Sequence, residues 1–199
     1  MPMMMLAVGY LFGSIPFGVI LTRLGGAGDV RAIGSGNIGA TNVLRTGRKG
    51  LAAGTLILDM AKGLAAVWIA QSISPDDAII AGAGAILGHL YPIWLKFHGG
   101  KGVATYMGVA LALDWRIGAI YALLWIGVIV IGRISSLGGL VAAVSVPVAA
   151  WALGHPYWLP LLSALTLLVL WRHKENIGRL LSGREPRIGK GSDAADNAG

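Results

Sequence analysis

Three stretches of the chain combine residue types that suit a phosphate group. The first runs from Asp29 to Lys49. It sets Gly34, Gly36 and Gly39 among Ser35, Asn37, Thr41 and Asn42, with Arg31 and Arg45 at its flanks. Glycines let backbone N–H groups turn toward one anion, hydroxyls and amides add donors, and arginine supplies a planar fork for phosphate oxygens. The second is His98-Gly99-Gly100-Lys101-Gly102, a glycine-rich turn running into a helix start. There the helix N-terminus and the lysine charge both favour an anion. It is not a nucleotide-binding P-loop: that motif needs Gly where Leu95 stands, Ser or Thr where Gly102 stands, and a preceding strand. The third, Arg172 to Arg179, puts His173 and Asn176 three apart, on one face of a helix that Arg172 and Arg179 can bracket. Each stretch also has a plainer reading. A basic loop can simply be solvated, and a basic segment after an apolar one can lie against anionic lipid headgroups. Ser135-Ser136 marks another helix start, where serine is ordinarily a cap.

The elements that position these stretches must come from a very apolar chain. Of its 199 residues, 55% are hydrophobic and 13% charged, with a mean hydropathy of +0.71; a soluble domain carries about 25% charge. That excludes a soluble globule, a disordered chain and a coiled coil. The lack of cysteine excludes a disulfide scaffold. Apolar stretches recur along the whole length, so a signal peptide with a soluble domain is excluded too. They fall at 3–22, 51–70, 78–95, 103–113, 117–132, 134–153 and 157–171. The fourth is short for a bilayer that takes roughly 20 residues to cross. Either it is a span of its own or it merges with the fifth. Charge decides. With seven spans, every Lys and Arg except Arg116 and Lys62 falls on one side; with six, the bias disappears. The expected fold class is all-α: a polytopic integral membrane protein with seven transmembrane helices, its N-terminus outside and its C-terminus cytoplasmic. It forms one domain over 1–182, followed by a polar, disordered tail over 183–199.

The net charge of +7 is then positive-inside charge and not the footprint of a nucleic-acid protein, so membrane lipid is an expected partner and nucleic acid is not. Within the spans, Asp59 and Lys62 are three apart and are expected to pair along their helix. His89 is expected to hydrogen-bond a neighbouring helix. His155 falls on the outer side with no polar cluster around it. Trp94, Trp115, Trp158 and Trp171 lie near span ends, as an aromatic belt would.

All three phosphate-suited stretches share the cytoplasmic side. Their only acids are Asp29 and Glu175, too few to chelate Mg²⁺, and four scattered histidines without cysteine do not make a zinc site. No metal or cofactor is expected. The spaced aspartates of CDP-alcohol phosphotransferases are missing. So is the His-x4-Asp motif of the common glycerolipid acyltransferases, since none of His89, His98, His155 and His173 has Asp five residues on. A transporter for a phosphorylated anion would use similar basic loops, but the spans offer almost no charge for a path.

GSGNIGATNVLR (34–45), GHLYPIWLKFHGGKGVAT (88–105) and RHKENIGRLL (172–181) resemble the three signature regions of the PlsY family, the bacterial membrane glycerol-3-phosphate acyltransferases that use acyl-phosphate. GSIPFG (13–18) and LDMAKG (58–63) fit the same pattern, and the resemblance spans about residue 10 to residue 185. Where the family commonly has two serines three apart, this chain has Ser136 and Gly139. The resemblance implies transfer of an acyl group from acyl-phosphate to the sn-1 hydroxyl of glycerol 3-phosphate, the first acylation of phospholipid synthesis, in the bacterial inner membrane. Lysophosphatidic acid and inorganic phosphate would be the products. It further implies roles. Lys101, Arg45 and the backbone of His98, Gly99, Gly100 and Gly102 hold phosphate and neutralise developing charge. Ser35, Asn37, Thr41 and Asn42, with Gly34, Gly36 and Gly39, orient glycerol 3-phosphate. Asn176 and Ser136 donate further hydrogen bonds. The hydroxyl's proton goes either to His173 or to the substrate's own phosphate.

Overall fold

Ten α-helices and no strand run through residues 1–189, which the computed structural model describes; residues 190–199, most of the expected tail, lie outside the described residues. In chain order they are α1 Pro2–Gly13, α2 Phe17–Leu24, α3 Ala40–Leu44, α4 Lys49–Ile73, α5 Ala78–Leu90, α6 Val103–Leu113, α7 Trp115–Gly132, α8 Ser135–Ala152, α9 Leu159–Arg172 and α10 Lys174–Leu181. Five segments among the described residues are long and apolar enough to cross a membrane: Pro2–Leu24, Lys49–Ile73, Pro75–Leu95, Trp115–Gly132 and Ser135–Ala152. Helix α6 is apolar but shorter. It stays separate from α7, because Asp114 between them is extended and caps α7 by accepting from Arg116 N. The expected single stretch 3–22 is broken. Pro16 removes a donor and restricts Ile15, so α1 stops at Gly13 and α2 restarts at Phe17.

Small residues set the packing. On α1, Cβ atoms at Gly9 and Gly13 would run into the carbonyls of Ala81 and Ala85 on α5; Cβ atoms at Gly84 and Gly88 would run into Leu6 and Tyr10 on α1. Two Gly-x3-Gly faces thus interlock backbone to backbone, the way helices associate where apolar lipid gives no hydrophobic drive. Helices α4 and α6 meet likewise through Gly63 and Gly108. A shared core of Ala66, Ile86, Leu90, Tyr106, Tyr121 and Leu162 joins α4 to α9. Pro147 inside α8 frees the carbonyl of Ala143, and Thr166 of α9 supplies the missing donor at 3.1 Å. Tyr106 of α6 binds the same Thr166 hydroxyl, so three helices meet on one satisfied polar node.

Short links make α4 to α9 alternate in direction. The N-termini of α4, α6 and α8 and the C-termini of α5, α7 and α9 therefore share one end of the bundle. All three phosphate-suited stretches lie there. At the opposite end, Asp114 accepts from Arg116 and lies 2.9 Å from Nε2 of His155, whose ring stacks on Trp158. His155 is thus not isolated, as the sequence suggested, but ties the α6–α7 link to the α8–α9 link.

Candidate active site

The stretch 34–45 is organised by one buried amide. Asn42, on α3, donates through Nδ2 to the carbonyls of Val30, Ile33 and Asn37 at 2.8–2.9 Å. Its Oδ1 accepts from Ser35 N at 3.1 Å and from Arg45 Nη1 at 3.2 Å. Asn42, expected to orient substrate, therefore has both donors and its acceptor turned inward on the loop. Gly34 has a φ of +55°, and a Cβ there would lie 2.6 Å from Arg45 Nη1. That glycine lets the guanidinium lie across the loop backbone. Gly36 also has a positive φ, and Gly39 donates to Asn37 Oδ1 at 2.8 Å. Ser35 and Arg45 are exposed. The loop is docked on the bundle by Gly18 of α2, where a Cβ would overlap the Ile38 carbonyl. Asp29 is taken up by Arg23 and Arg31, with contacts of 2.8 and 2.6 Å, and the Arg31 hydrogen bonds hold its carboxyl well below the usual range.

The second stretch is held from outside itself. Gly99 N and Gly100 N donate to the carbonyls of Leu90 and His89 at 3.2 and 3.0 Å, folding the loop back on the end of α5. Arg172 donates to the carbonyls of Gly99 and Gly100 at 3.2–3.3 Å and lies 5.3 Å from the Tyr91 ring. Gly102, φ +87°, starts α6 in a conformation that favours glycine. His98 is exposed, with Nδ1 on the Lys96 carbonyl. Lys101 reaches the third stretch and donates to Asn176 Oδ1. Burial lowers its pKa, and Arg179 presses the same way.

In the third stretch, His173 ends α9 and precedes α10, which carries Asn176 and Arg179. His173 is buried, and its Nδ1 lies 2.8 Å from the Val169 carbonyl. A carbonyl only accepts, so Nδ1 carries the proton and Nε2 keeps a lone pair. Burial brings the His173 pKa down to about 4; the Val169 hydrogen bond resists this, and Lys101 and Arg172 add to it. The imidazole is therefore neutral at neutral pH.

One central residue has no counterpart in the sequence reading. The chain turns back at Gly183, φ +68°, and brings the Glu185 carboxylate between α8 and α10. Ser136 and Asn176 Nδ2 each donate to Oε1 at 2.6 Å, and Arg179 Nε donates to Oε2 at 2.7 Å. Burial alone would raise the pKa of this carboxyl, but the donors from Ser136, Asn176 and Arg179 outweigh it and hold it below the usual range. Ile188 N then bonds the Arg133 carbonyl at 2.7 Å. The first residues of the expected tail, 183–189, are therefore folded onto the site. Position 139 sits elsewhere: it is buried, and a Cβ there would lie 2.7 Å from Val103 Cγ2, so Gly139 serves the close approach of α8 to α6.

The stretches are chained together. Arg172 and Lys101 join the second to the third, Glu185 joins the third to Ser136, and Thr41 Oγ1 meets Ser135 Oγ at 2.8 Å, joining the first stretch to the same end of α8. Among the described residues, no three His, Cys, Asp or Glu side chains are grouped closely enough for a metal ion. The result is a surface of cations, hydroxyls and amides gathered around one carboxylate, Glu185, with a neutral imidazole beside it: donors arranged for anionic oxygens and a lone pair able to accept one proton.

The family model described as glycerol-3-phosphate acyltransferase matches residues 3–183. A glycerol-3-phosphate acyltransferase of Rhodopseudomonas palustris (strain HaA2) is 58% identical over 186 residues, covering 93% of this chain and 94% of the relative. One from Erythrobacter litoralis (strain HTCC2594) is 56% identical over 182 residues, covering 92% of each. Among solved structures, the glycerol 3-phosphate form of PlsY (YgiH), an integral membrane glycerol 3-phosphate acyltransferase, superposes with a TM-score of 0.88 at 38% identity, covering 94% of this chain and 96% of that one. Its lysophosphatidic acid form gives 0.86 at 36% identity, covering 94% and 95%.

Proposed function

We infer the reaction from family and site together: the chain belongs to the glycerol-3-phosphate acyltransferase family and is an integral membrane PlsY homologue. The reading is an acyl transfer from acyl-phosphate to the sn-1 hydroxyl of glycerol 3-phosphate. The hydroxyl oxygen bonds to the acyl carbon, the acyl–phosphate C–O bond breaks, and inorganic phosphate leaves. The hydroxyl proton passes to His173 Nε2 or to the phosphate of glycerol 3-phosphate. The observation that carries this reading is Glu185: a carboxylate already takes hydrogen bonds from Ser136, Asn176 and Arg179, and the same Asn176 accepts from Lys101. Donors that stabilise one anion so closely are the means to stabilise charge on a phosphate or a developing oxyanion.

In this reading Lys101 serves the leaving phosphate and the carbonyl oxygen, joined by Asn176 and Ser136 once Glu185 releases their donors. The N–H groups of His98, Gly99 and Gly100 already bond the Leu95, Leu90 and His89 carbonyls and hold the shape of the loop instead. Arg45, Ser35, Asn37 and Thr41, on the loop shaped by Gly34, Gly36 and Gly39, orient glycerol 3-phosphate. Asn42 supports that loop. Inorganic phosphate is a good leaving group, so the proposed reaction does not require a metal to draw off its charge. The architecture proposed is a single domain over 1–182 with seven spans, counting α1 with α2 as one and adding α6 and α9. The N-terminus is outside, the active site and C-terminus are cytoplasmic, and the membrane is the bacterial inner membrane. Membrane lipid surrounds it and supplies the acyl chain's path. The test is purified protein with palmitoyl-phosphate and glycerol 3-phosphate, with lysophosphatidic acid measured with and without EDTA. Equal product in both arms is expected. No product, or product abolished by the chelator, contradicts the reading.

A further inference from the structure

Three ionisable side chains that the chemistry above does not use meet inside the bundle: Asp59, Lys62 and His89, which are 2, 3 and 3% exposed. Lys62 Nζ lies 2.7 Å from Asp59 Oδ1 and also donates to the Ile15 carbonyl at 2.8 Å, at the break between α1 and α2. His89 Nδ1 lies 3.7 Å from the same Asp59 oxygen. The opposite edge of the ring faces the glycine loop. A Cβ on Gly100 would overlap His89 Nε2, and a Cβ on Gly99 would overlap the His89 carbonyl.

We propose that His89, backed by the Asp59–Lys62 pair, is a positioning residue that fixes the loop 99–102 and through it Lys101. A buried ion pair is weak as a source of stability, since well-packed apolar residues serve as well. The pair forms the back wall of the ring: His89 Nδ1 is buried beside Asp59 Oδ1 at 3.7 Å and, contrary to the expectation from sequence, makes no hydrogen bond to a neighbouring helix. The loop is then clasped on two sides. His89 bears on it through its ring at Gly100 and through its carbonyl, which accepts from Gly100 N. Arg172 holds the Gly99 and Gly100 carbonyls. This explains why two consecutive glycines are required: residue 99 meets the His89 backbone and residue 100 meets its ring.

The inference rests on the reading that Lys101, on this loop, holds a substrate phosphate. A suppression experiment tests it with Gly100→Ala, His89→Ala and the double variant. Each is assayed for kcat and KM toward glycerol 3-phosphate, and for the rise in melting temperature that glycerol 3-phosphate or inorganic phosphate produces. Gly100→Ala should lose about 100-fold in kcat/KM, the scale of a loop displaced by about 1 Å. The added His89→Ala should recover at least about tenfold of that, because the methyl enters the vacated ring space, an interaction energy only contacting residues show. The phosphate-induced rise in melting temperature should be lost and regained in parallel. His89→Gln, which returns a nitrogen near the Nε2 position, should stay within about threefold of the parent, and Gly100→Ala should not be suppressed on that background. Near-parental activity of Gly100→Ala overturns the proposal, as does a double variant no better than Gly100→Ala. If His89→Ala does not fold, a His89→Gln variant in which Gly100→Ala costs nothing overturns it equally. A parent protein that makes no product, yet shows the suppression in its phosphate-dependent melting, contradicts the acyl transfer and keeps the positioning role.

Discussion

The two loops of the site are held in opposite ways. The stretch 30–45 is tied mainly through one of its own residues: Asn42 gathers the carbonyls of Val30, Ile33 and Asn37, one backbone N–H and the Arg45 guanidinium, and the outer residues Ser35 and Arg45 stay exposed. The stretch 98–102 has almost no internal ties. It is shaped by His89 and Leu90 on α5, by Arg172 at the end of α9 and by Asn176 on α10. The first touches the bundle at Gly18 of α2, through the buried Ile38 and Val43, and through Thr41 on Ser135 of α8. The second cannot move without disturbing three helices. Under the proposed acyl transfer, the more exposed loop would receive glycerol 3-phosphate and the loop held by three helices would hold the charge where the bond breaks.

Variants that break this contrast are ranked by expected effect. Lys101→Ala removes the cation of the fixed loop and should lower kcat by about 1,000-fold, as loss of a transition-state donor does, with the melting temperature unchanged. Arg45→Lys keeps the charge but removes the fork, and should cost roughly 100-fold in kcat/KM, mostly in KM for glycerol 3-phosphate. Asn42→Ala should lower activity through Arg45 and also destabilise the fold by about 1–3 kcal/mol, because buried carbonyls lose their donor; calorimetry and kinetics together separate it from Arg45→Lys.

The pH profile sharpens the contrast further. His173 has its folded pKa lowered to about 4, so it stays neutral as pH falls through the ordinary histidine range. If it is the base, the acid limb of kcat/KM lies near 4. If the substrate phosphate takes the proton, the limb lies at about 6, the second ionisation of a phosphate monoester. The linkage has a matching sign. Below the ordinary His value the unfolded chain binds the proton and the folded chain does not, so stability falls as pH drops from that value toward 4. His173→Gln should flatten that part of the stability curve. The smallest effect belongs to the opposite end of the bundle: His155→Ala removes one partner of Asp114 and should change stability by about 1 kcal/mol with kcat unaltered.

The sequence carried the helices because apolar stretches of span length leave few alternatives. It carried the glycine loops because Gly34, Gly100 and Gly102 signal positions where a side chain or an ordinary φ would not fit. Pro16 is the local sign of the α1–α2 break, but the hydropathy of 3–22 runs on across it, so the apolar pattern alone does not show the break. Asn42 was legible as polar and useful. That its amide serves the loop and not a ligand depends on burial, which no local pattern reveals. Glu185 was hidden more deeply. It lies in a polar, proline- and glycine-containing segment, and only the reversal at Gly183 brings it against Ser136, a residue 49 positions earlier. His89 could be seen as a polar residue in a span, but its neighbour across the loop could not.

The claim that the exposed loop and the fixed loop act on one reaction is tested most directly by a double-variant cycle of Arg45→Lys and Lys101→Arg. Lysophosphatidic acid formation from acyl-phosphate and glycerol 3-phosphate would be measured in the purified protein. Two groups serving one transition state are grossly non-additive, so the double variant should fall little below the worse single one. Losses that simply multiply, with each variant altering its own step independently, would contradict it.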